Sequence, residues 1–389
     1  MTPTAGFCTH RLARLEAHLD SYVGRGLLPG FSSVIEHNGK IIFKKSSGYA
    51  DIASSRRLDD QSLFRIYSLS KPITSVALMC LLEQGKLLLT DPVSDYLPEL
   101  AKLMVYRSGT GDSLELEPCK QEIQVADLLI HSAGFGYGHE DHPVDALYRR
   151  ANLFRYNETI GDMVSRLGTL PLKYQPGESW EYSVSHDVIG RLIEVIAGID
   201  FNAFLTEQVF EPLGMCDTTF VVSEPNRNRL ATLYTSDASN QLKEYREAEA
   251  TLCMKSHRFF AGGEGLVSTT NDCHVFLKML SNGGTHNSSQ FLSRKTVALM
   301  TMNHLSDKQR KHVWIPGHGF GFGLGVLVDP AAHRNLGTEG EFGWAGSGST
   351  YFWADPKEKL TSILFSQFMP SGKYNIAREF KTLMYQAMI

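Results

Sequence analysis

Strand-forming sequence lies at both ends of this chain, and helix-forming sequence fills its middle. Near the amino terminus, "FSSVIEHNGKIIFKKSSGYAD" holds two β-rich runs around Asn38-Gly39. That dipeptide suits a two-residue hairpin turn, because both central positions need φ > 0. Near the carboxyl terminus, "FGFGLGVLVDP", "GEFGWAGSG", "TYFWADP" and "KLTSILFSQF" are short β-rich runs separated by turns. Asp355-Pro356 to Lys359 is expected to close the last hairpin. Between these ends, apolar residues recur at helical spacing, most clearly in "HDVIGRLIEVIAG" and "FNAFLTEQVFEPLGM". Helices are also expected over 9–25, on Leu12, Leu15, Leu19 and Val23, over 70–83, and over about 374–387. Pro72 is tolerated in a first turn, and Gly85 stands just past an end. The simplest architecture is an antiparallel sheet built from both termini and flanked by helices, with a helical domain inserted. Residues 1–85 and 256–389 then form a discontinuous α/β sheet domain and 86–255 a mainly helical one. The functional site is expected at their interface, where ligands favour binding.

The chain has 389 residues, 42% of them hydrophobic, enough for a core of that size. A net charge of −4 gives no electrostatic case for nucleic acid or an anionic membrane. The one dense basic run, "DKQRKH", is short enough to be a solvated loop. The start "MTPTAGFCTHRLARLEAHL" lacks a basic segment followed by an apolar core, so no secretory signal is expected. No apolar run approaches the roughly 18 residues a membrane span needs. Six scattered cysteines, none in a CxxC pair, fit reduced thiols in the cytoplasm. "HEDH" at 139–142 could hold a metal but reads better as a solvated loop, placed after Tyr137 where it rims a site. No metal and no cofactor are expected, and the chain is expected to act as a monomer or homodimer.

The chemistry centres on Ser68-Leu69-Ser70-Lys71, where an extended stretch becomes a helix. A serine and lysine three apart occur by chance about once in a chain this long. Placement strengthens the pair. Residues i and i+3 share a helix face, so the amine can reach the hydroxyl. Backbone N–H groups at a helix start, together with the dipole, stabilise developing negative charge. The competing reading makes Ser68 a simple N-cap. No GxSxG, HExxH or GxxxxGK[ST] occurs. Lys295-Thr296-Val297 sits in the helical run "LSRKTVALM" and lacks a following glycine.

Two further stretches give the pair a context. Tyr182-Ser183-Val184 precedes a helix in "WEYSVSHD", and Trp344-Ala345-Gly346-Ser347 lies on a glycine-rich strand. In order and spacing these motifs resemble the superfamily of class C serine β-lactamases, penicillin-binding proteins and family VIII carboxylesterases. "LLIHSAGFGYG", "PLGM", "GGEGLVST" and "GFGLGV" are similar too, and the resemblance runs from about residue 12 to the end. It implies a β-lactamase-like fold with Ser68 as nucleophile and Lys71 as the base that takes its proton. Tyr182 would share the proton relay and protonate the leaving group. The backbone N–H groups of Ser68 and Ser347 would form the oxyanion hole. Tyr137, Trp344, Gly346 and Val184 would contact substrate.

Two departures from the β-lactamase pattern point to esters. Trp344 stands where those enzymes carry a lysine that attracts a substrate carboxylate, and Val184 replaces an asparagine that binds a substrate amide. The expected activity is that of a serine carboxylesterase on small to medium neutral esters. The alternatives are an acyltransferase (fungal statin side-chain transferases resemble the pattern, tryptophan included), a β-lactamase or D-aminopeptidase-type amidase, and a binding or sensor module with dead chemistry.

Overall fold

The computed structural model describes residues 6–246 and 252–389. Residues 1–5, which open the stretch read as lacking a secretory signal, lie outside them. Helix α1, Thr9–Gly24, buries Leu12, Leu15, Leu19 and Tyr22, and Val23 packs partly buried against the same cluster. Strands β1, Gly30–His37, and β2, Lys40–Asp51, form the hairpin around Asn38 and Gly39, whose φ angles are 50° and 75°. The short β3, Arg56–Arg57, pairs with the end of β2. At the other end of the chain come β4, His318–Phe320; β5, Gly325–Leu327; β6, Phe342–Gly346; β7, Thr350–Asp355; and β8, Leu360–Phe365. All eight join one sheet in the order β4-β5-β6-β7-β8-β1-β2-β3, antiparallel throughout. The two ends of the chain meet where β1 pairs β8, with Val34 opposite Ile363.

Period-2 alternation then sorts side chains to two buried faces. Phe31, Ile35, Trp353, Leu360 and Leu364 pack under α1 and the last helix, α5, Ile376–Tyr385. Phe352, Ile363, Phe365 and Phe342 point the other way, toward α2, Ser70–Glu83, and α4, Thr270–Ser281. A strand covered on both faces carries near-continuous apolar sequence, which is why β8 reads "LTSILF". From α2 the same apolar cluster continues into the middle of the chain, reaching Leu192 and Ile193 of α3, Ser185–Ala197, and then Phe201.

In the middle segment the two clearest helical stretches form Ser185–Ala197 and the helical run from Phe201 to Leu213, and the segment also contains two small hairpins that the sequence reading missed. They are Met104–Ser108 with Glu115–Pro118, and Tyr234–Ser236 with Leu242–Glu244. Their strands are short and largely exposed, so neither carries an alternation of buried apolar residues. No helix among the described residues is long and apolar enough to cross a membrane.

The outer layer is closed by α5. Phe380 is fully buried and meets Trp353 edge-on at 5.4 Å. Phe380→Ala is expected to cost about 3–5 kcal/mol, the range for removing a buried aromatic ring. Urea unfolding measures it, and a loss below about 1 kcal/mol would show that α5 is not part of the cooperative core.

Candidate active site

Chain geometry presents Ser68 to solvent almost alone. From Ser62 to Met79 every residue is buried except Ser68. It lies in a single 3₁₀ turn, Tyr67–Leu69, that leads straight into α2. Tyr67 before it takes a positive φ of 45°, an uncommon conformation for a bulky residue that turns the chain sharply at this point. The Ser68 side chain makes no cap bond, so the N-cap reading does not describe it.

Lys71 follows one turn later and is fully buried. Its Nζ lies 3.2 Å from the Ser68 Oγ and donates to the Gly263 carbonyl at 2.8 Å. That carbonyl is delivered by a two-stranded pairing, Phe64–Arg65 with Val267–Ser268, which draws the glycine-rich segment beside α2. Thr74 Oγ1 donates to the Gly262 carbonyl at 2.7 Å and fixes the same segment. A Cβ on Gly262 would stand 2.2 Å from the His186 carbonyl, so only glycine lets the backbones approach this closely. Neighbouring Ser70 faces away, and its Oγ accepts from the Leu266 N–H.

Tyr182 enters from the turn before α3. Its ring centroid is 4.6 Å from Lys71 Nζ, and its Oη accepts a hydrogen bond from Trp344 Nε1 at 3.2 Å. Tyr137 is partly buried, with its ring 5.4 Å from the same Nζ and 5.5 Å from the Tyr182 ring. Burial, with Asp187 nearby, pushes the Tyr137 phenol well above its usual range. His139 stacks on Tyr137 at 5.6 Å, so the HEDH loop does border this site. The rest of that loop is structural. Glu140, Asp145 and Glu181 converge on the fully buried Lys173, whose ammonium occupies the centre of the three carboxylates and is held charged by them. His142 caps the helix Pro143–Ala151.

Trp344 and Ser347 lie on and just beyond β6. Strand β5 pairs with β6 only at Phe342 and Gly343, so beyond these β6 borders an open cleft. The cleft is a cavity of about 380 Å³, lined by Ser68, Tyr182, Trp344, Gly346 and Ser347. Trp314 also lines it, 58% exposed and edge-on to Tyr182 at 5.1 Å. The sequence reading did not single out Trp314, which sits in an irregular loop with no motif around it.

Of the expected substrate contacts, Tyr137 stands beside Lys71 but is not among the residues lining the cleft, and Val184 leaves the site altogether. Val184 is fully buried in the apolar core just before α3 and does not line the cleft, so it offers no substrate contact. An isopropyl group at this position gains more by packing inward than by facing a wet cleft. Gly346 lines the cavity but also serves packing, since a Cβ there would stand 2.3 Å from the Ile66 carbonyl.

Beneath the site lie three buried groups that no motif announced. His131, in a left-handed conformation at φ 58°, accepts from the Ser183 N–H at 3.2 Å. His186 meets Ser75 Oγ at 3.1 Å. Asp187 Oδ1 accepts from the Gly263 N–H at 2.9 Å, one peptide away from the carbonyl that holds Lys71. Burial lowers both imidazoles well below their usual value, with the Lys71 charge adding to it, and raises Asp187 to about 6.

These shifts set the acid stability. Below pH 6.5 the unfolded chain binds protons at positions 131 and 186 that the folded chain refuses, so stability falls as pH falls. Each contributes up to about 1.4 kcal/mol per pH unit. Asp187 has the opposite sign between pH 3.8 and about 6, and offsets part of the loss. The free energy of unfolding in urea is expected to be level above pH 7 and at least about 1 kcal/mol lower at pH 5. A flat profile from pH 7.5 to 5 would contradict the buried, neutral imidazoles.

A family model described as Beta-lactamase matches residues 15–383. Protein Rv1367c of Mycobacterium tuberculosis is 33% identical over 365 residues, covering 91% of this chain and 90% of its own length. Esterase EstB of Burkholderia gladioli is 27% identical, covering 92% and 91%. Among solved structures, EstCE1, described as a hydrolase with promiscuous acyltransferase activity, superposes with a TM-score of 0.85 at 24% identity, covering 96% and 98%. The resemblance to family VIII esterases of the serine β-lactamase and penicillin-binding-protein superfamily therefore holds, and the chain belongs to the Beta-lactamase family, whose members are serine hydrolases.

Proposed function

We propose that this chain is a serine carboxylesterase that hydrolyses small to medium neutral esters through an acyl-enzyme on Ser68. The observation that carries the reading is the single accessible hydroxyl of a buried segment, 3.2 Å from a fully buried amine and opening into an aromatic cleft. Lys71 takes the Ser68 proton, and the serine oxygen attacks the ester carbonyl. The backbone N–H groups of Ser68 and Ser347, both on the cleft, receive the oxyanion. Tyr182 protonates the departing alkoxide. Water then repeats the sequence and frees the acid.

The ester preference rests on the cleft wall. Trp314, Ile315, Phe342 and Trp344 line it, and an apolar wall gains roughly 0.8 kcal/mol per CH₂ it buries. The lysine of the cavity, Lys381, is already paired with Glu341. Because the cleft runs past Ser68 to Asn335, it has room for an alcohol beside the acyl group, which favours an acyltransferase as the second reading. Among the described residues all six cysteines are unpaired thiols, which suits the reducing cytoplasm proposed for it.

Ser68→Ala is expected to abolish turnover of p-nitrophenyl butyrate, while Ser70→Ala keeps most of it. Lys71→Arg should be inactive, because guanidinium stays protonated and cannot accept the serine proton. An active Lys71→Arg enzyme would exclude the base role.

Substrate choice supplies a second test. The missing lysine costs a carboxylated β-lactam one charge-assisted hydrogen bond, about 10- to 150-fold. With Val184 withdrawn from the cleft, no further factor is assigned to that position. Nitrocefin should therefore trail p-nitrophenyl butyrate by at least about tenfold in kcat/KM. Equal or better nitrocefin turnover would return a β-lactamase to first place.

A further inference from the structure

Trp344 does more than wall the cleft. Its Nε1–H donates to the Tyr182 Oη at 3.2 Å, with the two rings 5.6 Å apart. The indole is held in place. It is 8% exposed, meets Phe320 edge-on at 5.1 Å, and abuts Gly325, where a Cβ would stand 3.1 Å from the indole ring. Tyr182 is held equally firmly, between the His131 ring at 4.7 Å and Trp314 at 5.1 Å.

An indole N–H donates and cannot accept. It therefore takes a lone pair of the phenol oxygen and leaves the phenol proton to be given to another acceptor. A hydrogen bond to an ionised oxygen is roughly twice as strong as one to a neutral oxygen. The contact consequently strengthens as Tyr182 gives its proton away.

We propose that Trp344 is a positioning residue for proton transfer, whose indole N–H stabilises the Tyr182 phenolate formed when Tyr182 protonates the leaving alkoxide. This rests on the reading of Tyr182 as proton donor. When the tetrahedral intermediate collapses, its C–O bond to the alcohol breaks and the alkoxide oxygen takes the phenol proton. Tyr182 keeps the electron pair, held by Trp344. The ammonium of Lys71, carrying the proton taken from Ser68, then reprotonates the phenolate. The net transfer moves the serine proton to the alcohol and leaves the acyl group on Ser68.

The test varies the leaving group. p-Nitrophenolate departs without a proton, whereas ethoxide needs one. The readout is the ratio of kcat/KM for ethyl butyrate to that for p-nitrophenyl butyrate, which cancels losses shared by both esters. Trp344→Phe, which fills the position without an N–H, should lower this ratio about tenfold. Tyr182→Phe should lower it at least about 100-fold. A ratio that falls in Tyr182→Phe and stays at the wild-type value in Trp344→Phe would leave Trp344 as a wall and overturn the inference. A ratio unchanged in Tyr182→Phe would remove the proton-donor reading itself, and the inference with it. Should Trp344→Phe fail to fold, Trp344→Met carries the same comparison.

Discussion

Everything in this molecule depends on the pairing of β1 with β8, which joins the two ends of the chain at the middle of the sheet. Closing a loop of roughly 320 residues costs about 5 kcal/mol in chain entropy. Burying Phe31, Val34, Ile35, Ile363, Leu364 and Phe365 outweighs this, at roughly 1.5–3 kcal/mol each. Beside the joined sheet the cleft lies between the turn before α2, the turn before α3 and the open half of β6.

Burial of α2 follows from that geometry and shapes the chemistry. A helix clamped between the sheet and the inserted segment is apolar nearly all round. Lys71 is the charged side chain on its first turn, and burying a charge is costly unless it finds partners. Its two hydrogen-bond partners, Ser68 Oγ and the Gly263 carbonyl, are both uncharged oxygens. By contrast, Lys173 sits among three carboxylates that hold it as a cation. These two buried lysines thus sit in opposite surroundings. In the proposed reaction the amine bonded to two uncharged oxygens exchanges a proton, whereas the one among three carboxylates holds loops together. Lys173 ties Glu181, next to Tyr182, to Asp145, which in turn accepts from the Gly138 N–H beside Tyr137.

The aromatic side chains form the second organising layer. Trp180, Tyr182, Trp314, Trp344 and Phe320 contact one another at 5.0–6.2 Å between ring centroids. Such pairs add about 0.5–1.5 kcal/mol each beyond area burial. They join β4, β6, the loop around Trp314 and the turn before α3 into one wall. A rigid wall holds Tyr182 with respect to Lys71, which flexible aliphatic side chains would do less well.

The sequence by itself determined the strands at both ends, the hairpin at Asn38-Gly39, helices α1, α2, α3 and α5, and the triplet Ser68, Lys71 and Tyr182. These rest on local rules of turn chemistry, periodicity and motif spacing, which act over a few residues and are legible in a single chain. Only the tertiary structure decided what faces what. Val184 and Trp344 both belong to recognisable motifs, yet one turns into the core and the other onto the Tyr182 oxygen. His131, His186, Asp187 and Trp314 carry no local signature, because their roles depend on contacts across more than fifty residues or on a loop without periodicity. Gly263 is the sharpest case. Its place beside Lys71 is set by a two-residue pairing between Phe64–Arg65 and Val267–Ser268, and no spacing within the chain encodes a pairing that only the closed sheet brings about.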